Sequence, residues 1–229
     1  MKRIFWTMLL AIPAALASAT GNDAAGHWEG AIQTPGADVA FVVDIAKSAD
    51  GTLGGAIAMP GEKVYGLPLK GVTVEGTSIR FHARLDQEFN GYFAGDGDEI
   101  KGDITVEGHQ LPIYLKRTGD AKIEPHANSA AIAKTFEGSW TATLGSEKLC
   151  LVLANLPDGT SMGSVVNLDE GELEIPVSAI AVNGARLNLG LKAIDGSYSG
   201  ELSADGAQLV GTFQQGSQSV TLKFLRAEK

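Results

Sequence analysis

The stretch YSGELSADGAQLVGTF, residues 198–213, decides the fold, together with its upstream sibling FNGYFAGDGDEIKGDI, residues 89–104. Both read as strand, turn, strand. Residues two apart point to one face of a strand. Tyr198, Gly200 and Leu202 therefore share a face, as do Leu209, Gly211 and Phe213. The matching upstream sets are Phe89, Gly91, Phe93 and Ile100, Gly102, Ile104. Asp205-Gly206 and Asp96-Gly97 fall at the turns, where glycine accepts a positive φ. Glycines inside the strands mark a bend, or a place where another backbone or a large ring comes close. Repeated in both hairpins, they suit a small curved sheet closing on itself. Room for a ligand at those glycines is the functional alternative.

The repeat extends over nearly the whole chain. The first copy starts at GHWEG, with Trp28 as a core plug in the first strand. Phe41, Val43 and Ile45 alternate next, then a turn at Asp50-Gly51, a Gly-rich strand over residues 52–59 and a turn at Pro60-Gly61. Residues 64–74 are broken by Gly66, Pro68 and Gly71, which gives two short strands or one bent edge strand. Ile79, Phe81 and Ala83 precede the hairpin, and Leu111, Ile113 and Leu115 lead to Arg117. The second copy restarts at FEGSW, with Trp140 in the role of Trp28 and Arg226 in that of Arg117. Asp158-Gly159 answers Asp50-Gly51, Pro176 answers Pro68, and Leu187 with Leu189 answers Ile79 with Phe81.

The prediction is an all-β chain of two tandem antiparallel β-barrel or β-sandwich modules, each of about eight or nine short strands. The expected limits are a signal peptide at 1–19, a first module at 20–117, a linker at 118–135 and a second module at 136–229. Within the linker, residues 127–134 have the makings of a short helix. The signal-peptide reading rests on Lys2 and Arg3, an apolar run from Ile4 to Leu16, and the small-x-small site Ala17-Ser18-Ala19. That run is too short for a stable spanning helix. It predicts a periplasmic or secreted product. A transmembrane β-barrel is disfavoured by strands interrupted every few residues.

The formal charge is −9, and −11 once Lys2 and Arg3 are removed. A surface of that sign argues against nucleic acid and anionic lipid as partners. Cys150 is the single cysteine, which excludes an internal disulfide framework and a cysteine-based zinc cluster. In the second strand of module two, Leu149, Leu151 and Leu153 take the core face, but Cys150, Val152 and Ala154 opposite them are apolar as well. The first module has Val42, Asp44 and Ala46 there. A strand apolar on both faces is usually covered on both, so this face is expected to pack on the sibling module, the linker or a second subunit.

Motifs for chemistry are few. Gly159-Thr160-Ser161-Met162-Gly163 fits the G-x-S-x-G nucleophile elbow, but that elbow needs a strand before it and a helix after it. Here it follows a turn and enters a strand. The acidic run Asp169, Glu170, Glu172, Glu174 lacks the spacing of a calcium loop and reads as a solvated edge. His82 and Asp86 read as a surface pair. His27, His82 and His109 are not duplicated, and His126 lies in the linker. No catalytic, cofactor-binding or metal residue is assigned, and no cofactor is expected.

The recurring pattern resembles the small all-β module found ahead of the catalytic domain in some secreted bacterial α/β-hydrolases, and alone in uncharacterised envelope proteins. Trp28, Gly30, Asp50, Gly51, Pro68, Gly76, Phe89, Gly91, Gly102 and Arg117 carry the likeness. In the second copy Trp140, Asp158, Gly159, Pro176, Gly184, Tyr198, Gly200, Gly211 and Arg226 do so, with Ala142 standing where the pattern has glycine. The resemblance implies an accessory or binding module without a catalytic residue. The expected function is therefore a non-enzymatic binding or interaction protein. The alternatives are a carrier holding a small apolar molecule inside a barrel, and a weak hydrolase built on Ser161.

Overall fold

A computed structural model of the chain describes residues 23–84, 87–106, 108–123, 129–169 and 172–227. The signal-peptide segment, Asp86, His126 and Glu170 lie outside the described residues. The protein is all-β, with two nearly closed, antiparallel, barrel-like sheets.

The first sheet comprises β1 (Gly26–Ile32), β2 (Val39–Lys47), β3 (Leu53–Met59), β4 (Val64–Pro68), β5 (Lys70–Glu75), β6 (Ser78–Arg84), β7 (Gln87–Ala94), β8 (Glu99–Val106) and β9 (His109–Gly119). Its strand order is β4-β3-β2-β1-β9-β8-β7-β6-β5. The two outermost strands, β4 and β5, are the halves of one chain segment, separated only by Leu69. The ring is thus drawn together by the chain itself, and the Leu69 N–H donates to Gly55 O of β3 at 2.8 Å. The interrupted segment at 64–74 is therefore two strands. Gly66 and Gly71, both with positive φ, flank the break.

The second sheet contains β10 (Ser129–Ala130), β11 (Gly138–Leu144), β12 (Glu147–Asn155), β13 (Thr160–Asn167), β14 (Leu173–Pro176), β15 (Ala179–Asn183), β16 (Arg186–Leu191), β17 (Gly196–Leu202), β18 (Gln208–Gln215) and β19 (Gln218–Arg226). Its path is β10-β13-β12-β11-β19-β18-β17-β16-β15, with β14 also on β13. The short helix expected over 127–134 does not form over its described part. Ser129 and Ala130 pair with Ser161 and Thr160, and the Ile132 N–H donates to Asn155 Oδ1 at 2.8 Å. Those backbone groups are satisfied by β12 and β13, which leaves no local helical ladder.

Each barrel is closed at one end by the same device. Trp28 and Trp140 are fully buried, and their indole N–H groups donate at 3.0 Å to Ala24 O and Phe136 O. The Arg117 guanidinium lies 4.2 Å from the Trp28 ring centroid, and that of Arg226 lies 4.0 Å from the Trp140 centroid. Arg226 also donates to Gly206 O and Glu137 O, each at 2.9 Å, and to Thr135 O. Arg117 donates likewise to Gly97 O, Ala25 O and Asp23 O. One side chain thus binds the entry to the first strand, the Asp-Gly turn and the buried indole.

The hairpin glycines make room for a ring. A Cβ at Gly91 would meet the Phe89 ring at 2.4 Å, and one at Gly200 would meet the Tyr198 hydroxyl at the same distance. Gly91 faces Gly102 in register, and Gly200 faces Gly211. The space is filled by the protein's own aromatic rings rather than left for a ligand. Phe81 stacks on Phe89 at 4.6 Å, and Tyr198 meets Phe224 edge-on at 5.3 Å.

The barrels meet through β14 and a 3₁₀ turn of the second barrel. Ala193, in the 3₁₀ turn Lys192–Ile194 of the second barrel, is buried in the first barrel's core. Leu173 of β14 packs against the same core, and Ile175 packs against both. The Lys70 ammonium donates to Glu172 O at 3.1 Å. Cys150, Val152 and Ala154 are half-buried. Val152 is in register with Ser164, and Ser164 with Pro176, so that outer face runs towards the first barrel through Pro176.

Arg226→Ala removes three carbonyl contacts and a cation–π contact at a buried indole, so it is expected to cost about 2–4 kcal/mol in denaturant unfolding. Arg226→Lys should recover only part of that loss, because an ammonium cannot reproduce the planar fork. Equal stability of the Lys variant and the parent would refute this account of the clamp.

A second expectation concerns Tyr198. Burial pushes its phenol from the ordinary 10.0 up to about 12, while its hydroxyl donates to Leu209 O and Leu222 O at 3.2 and 3.3 Å. A group whose pKa is raised on folding contributes stability that is complete below its unfolded value and is lost above it. Unfolding free energy should therefore fall between about pH 10 and 12, and Tyr198→Phe should flatten that fall. An unchanged slope in the variant would count against the assignment.

Candidate functional site

β1, β2 and β3 lie side by side, and their outward residues line up across the strands. His27 is opposite Asp44, Asp44 is opposite Ala56, and Val42 is opposite Ala58. This outer face is the floor of a cleft of about 510 Å³ between the barrels. Lys122 and Ile123 form one wall, and Pro176, Ser178 and Ala193 of the second barrel form the other. The small side chains of Ala56 and Ala58 leave the cleft its depth.

His27 is only 6 % exposed. Its Nδ1 lies 2.7 Å from Asp44 Oδ1 and its Nε2 lies 2.9 Å from Glu29 Oε1. The same Asp44 oxygen accepts the Lys122 N–H at 2.7 Å. The charge in the middle of the outer face therefore holds the segment after β9 against the barrel. Both imidazole nitrogens are occupied by carboxylates, so neither is presented to the cleft as a base. The second barrel carries Ser139 and Val152 as the register pair at this place. The asymmetry at Asp44 was the sequence signal for the site, and its partner is the unduplicated His27.

Left-handed backbone occurs where the barrels touch. Among the described residues, the non-glycine positions with positive φ are Lys63, Glu172 and Asp195. Lys63 and Asp195 each follow a 3₁₀ turn and face one another across the barrels, Nζ to Oδ2 at 3.9 Å. Glu172 supplies the carbonyl that Lys70 grips. Such conformations persist only where surrounding contacts fix them, and they gather at functional sites.

The other residues singled out from the sequence are not brought together. Ser161 is 1 % exposed, sits within β13 and donates its hydroxyl to Ala130 O at 2.8 Å. That places it on a strand facing β10, not on a strand-to-helix turn. Asp169 accepts the Lys148 N–H at 2.6 Å, which fixes the turn next to β12. Among the described residues, no group of three or more His, Cys, Asp and Glu side chains is placed to hold a metal ion. His82 lies 3.9 Å from Glu88. No helix among the described residues is long and apolar enough to cross a membrane.

No family model matches the chain, and no curated protein matches it. Among solved structures it is similar to a "putative outer membrane protein" of Bacteroides fragilis NCTC 9343, at 10 % identity and a TM-score of 0.28, over 89 % of this chain and 97 % of that one. It is also similar to a protein of unknown function from the DUF3598 family of Nostoc punctiforme PCC 73102, at 11 % identity and a TM-score of 0.28, over 89 % and 96 %.

Asp44→Ala leaves His27 buried against Glu29 alone and removes the acceptor for Lys122. The expected loss is about 1–3 kcal/mol. His27→Ser combined with Asp44→Val installs the pair of the second barrel and should lose less than Asp44→Ala alone. Denaturant titration of the two variants decides this, and a greater loss in the double variant would refute it.

Proposed function

We propose that the chain is a non-enzymatic binding protein that takes a small, largely apolar molecule in the cleft between its barrels. The observation that carries this reading is where the free volume lies. Trp28, Phe41, Phe81 and Phe89 fill the first barrel, and Trp140, Phe136 and Phe224 the second, all at 2 % exposure or less. A carrier cavity inside either barrel has no support from such filled cores. The cleft, in contrast, has the size of small-molecule sites. Val42, Ala56, Ala58, Pro68 and Pro176 offer apolar surface, with Tyr65, Lys122, Ser178 and Lys192 as polar groups for orientation beside the paired His27 and Asp44. A small apolar ligand thus fits the cleft rather than a barrel interior.

A hydrolase reading draws no support from Ser161, whose hydroxyl is committed to a backbone carbonyl. The N-terminal sequence supports an envelope or extracellular location. The resemblance to accessory modules agrees with a binding role.

The test is native mass spectrometry of protein isolated from a bacterial periplasm, compared with the denatured sample, and titration of the purified protein with anilinonaphthalenesulfonate. Ala58→Trp should fill the floor of the cleft. The expected result is an extra mass lost on denaturation, or dye binding, that Ala58→Trp weakens at least about tenfold. A bare native mass together with no dye binding, or binding unaffected by Ala58→Trp, would overturn the proposal.

A further inference from the structure

Tyr92 and Tyr114 are 51 % and 49 % exposed on the outer face of the first barrel. They belong to one row across adjacent strands: Tyr92 of β7 is in register with Lys101 of β8, and Lys101 with Tyr114 of β9. Two strand spacings separate the tyrosines, about 10 Å, which is the length of a disaccharide unit in an extended glycan.

The fold does not require these rings. The second barrel builds the same three-strand row with Glu201, Val210 and Lys223, again in direct register. One architecture thus stands in two versions, and only one of them exposes aromatic surface at the cost of leaving it in water.

The surroundings are polar, and the charges nearest the rings are paired. Lys101, between the rings, is paired with Glu99 at 2.9 Å. Each member holds the other in its charged form, Glu99 shifted down and Lys101 up by their mutual hydrogen bond. In the flanking row, Arg80 donates its Nε–H to Asn90 Oδ1 at 2.8 Å and lies 3.4 Å from Glu88. Asn90 is in register with Asp103. The platform therefore offers two apolar ring faces, planar hydrogen-bonding groups beside them, the paired charges of Lys101–Glu99 and Arg80–Glu88, and the carboxylate of Asp103 at its edge. An ionic partner would have to displace those pairs. A neutral chain of pyranose rings would not: its C–H faces stack on tyrosine, and its hydroxyls reach the amide, carboxylate and guanidinium groups at the edge.

We propose that the outer face of β7, β8 and β9 is a binding platform for a linear, β-1,4-linked polysaccharide, with Tyr92 and Tyr114 stacking on pyranose rings two units apart. This site is separate from the cleft and does not rest on that reading.

The test uses the full chain and three insoluble probes of this linkage: microcrystalline cellulose, chitin and isolated peptidoglycan sacculi. The parent protein should sediment with at least one of them. Tyr92→Glu with Tyr114→Lys transplants the residues of the second barrel and should reduce the bound fraction at least about tenfold. Far-ultraviolet circular dichroism and the melting temperature should stay at the parent values, because the other barrel folds with those residues. Ala58→Trp should sediment as the parent does, which separates the platform from the cleft. Failure to sediment with all three probes, or undiminished sedimentation of the folded double variant, would overturn the proposal.

Discussion

The contact between Arg117 and Trp28, repeated between Arg226 and Trp140, is the constraint on which each barrel depends. A meandering sheet has two ends of chain to secure, and here both are fixed at one point. The guanidinium arrives on the last strand, covers an indole on the first, and takes carbonyls from the segment before the first strand and from the Asp-Gly turn. It satisfies backbone acceptors that would otherwise sit unpaired beside a buried ring. The opposite closure needs no comparable device, because the seam strands follow one another in the chain and meet through Leu69 in the first barrel. In the second barrel the corresponding link is the Val177 N–H donating to Gly163 O at 2.9 Å.

The strands were legible in the sequence because alternation with period two is a direct consequence of the pleat. Phe41, Val43 and Ile45, or Leu149, Leu151 and Leu153, announce their buried face without any tertiary knowledge. The glycines were half legible. Their spacing showed that something large comes close, while the identity of the neighbour depended on the Phe89 and Tyr198 rings folding back over their own strands. The β10 pairing was hidden, since two residues carry no periodicity and Ser129 and Ala130 favour no strand.

The meeting of the barrels was not legible for a different reason. Ala193, Leu173 and Ile175 read as ordinary residues of the second module, and nothing in their types says that they reach into the core of the first. Lys63, Glu172 and Asp195 likewise give no sign of a left-handed backbone. The polar network of His27, Asp44 and Glu29 could be seen only as an irregularity, one charge on a face whose counterpart is apolar. Searching for what recurs between the copies finds the scaffold. The cleft and the tyrosine row both lie where the copies differ.

The burial of Ala193 in the first barrel's core also sets an order of events for a chain made from its N-terminus. All nine strands of the first sheet have been synthesised once Gly119 is in place, yet the side chain that completes its packing follows more than seventy residues later. In the interval that core has an open flank, and the docking of β14 and the Lys192–Ile194 turn closes it. The second barrel is in this respect the last piece of the first. A nascent chain halted between them presents an unfinished apolar surface to whatever factors attend it.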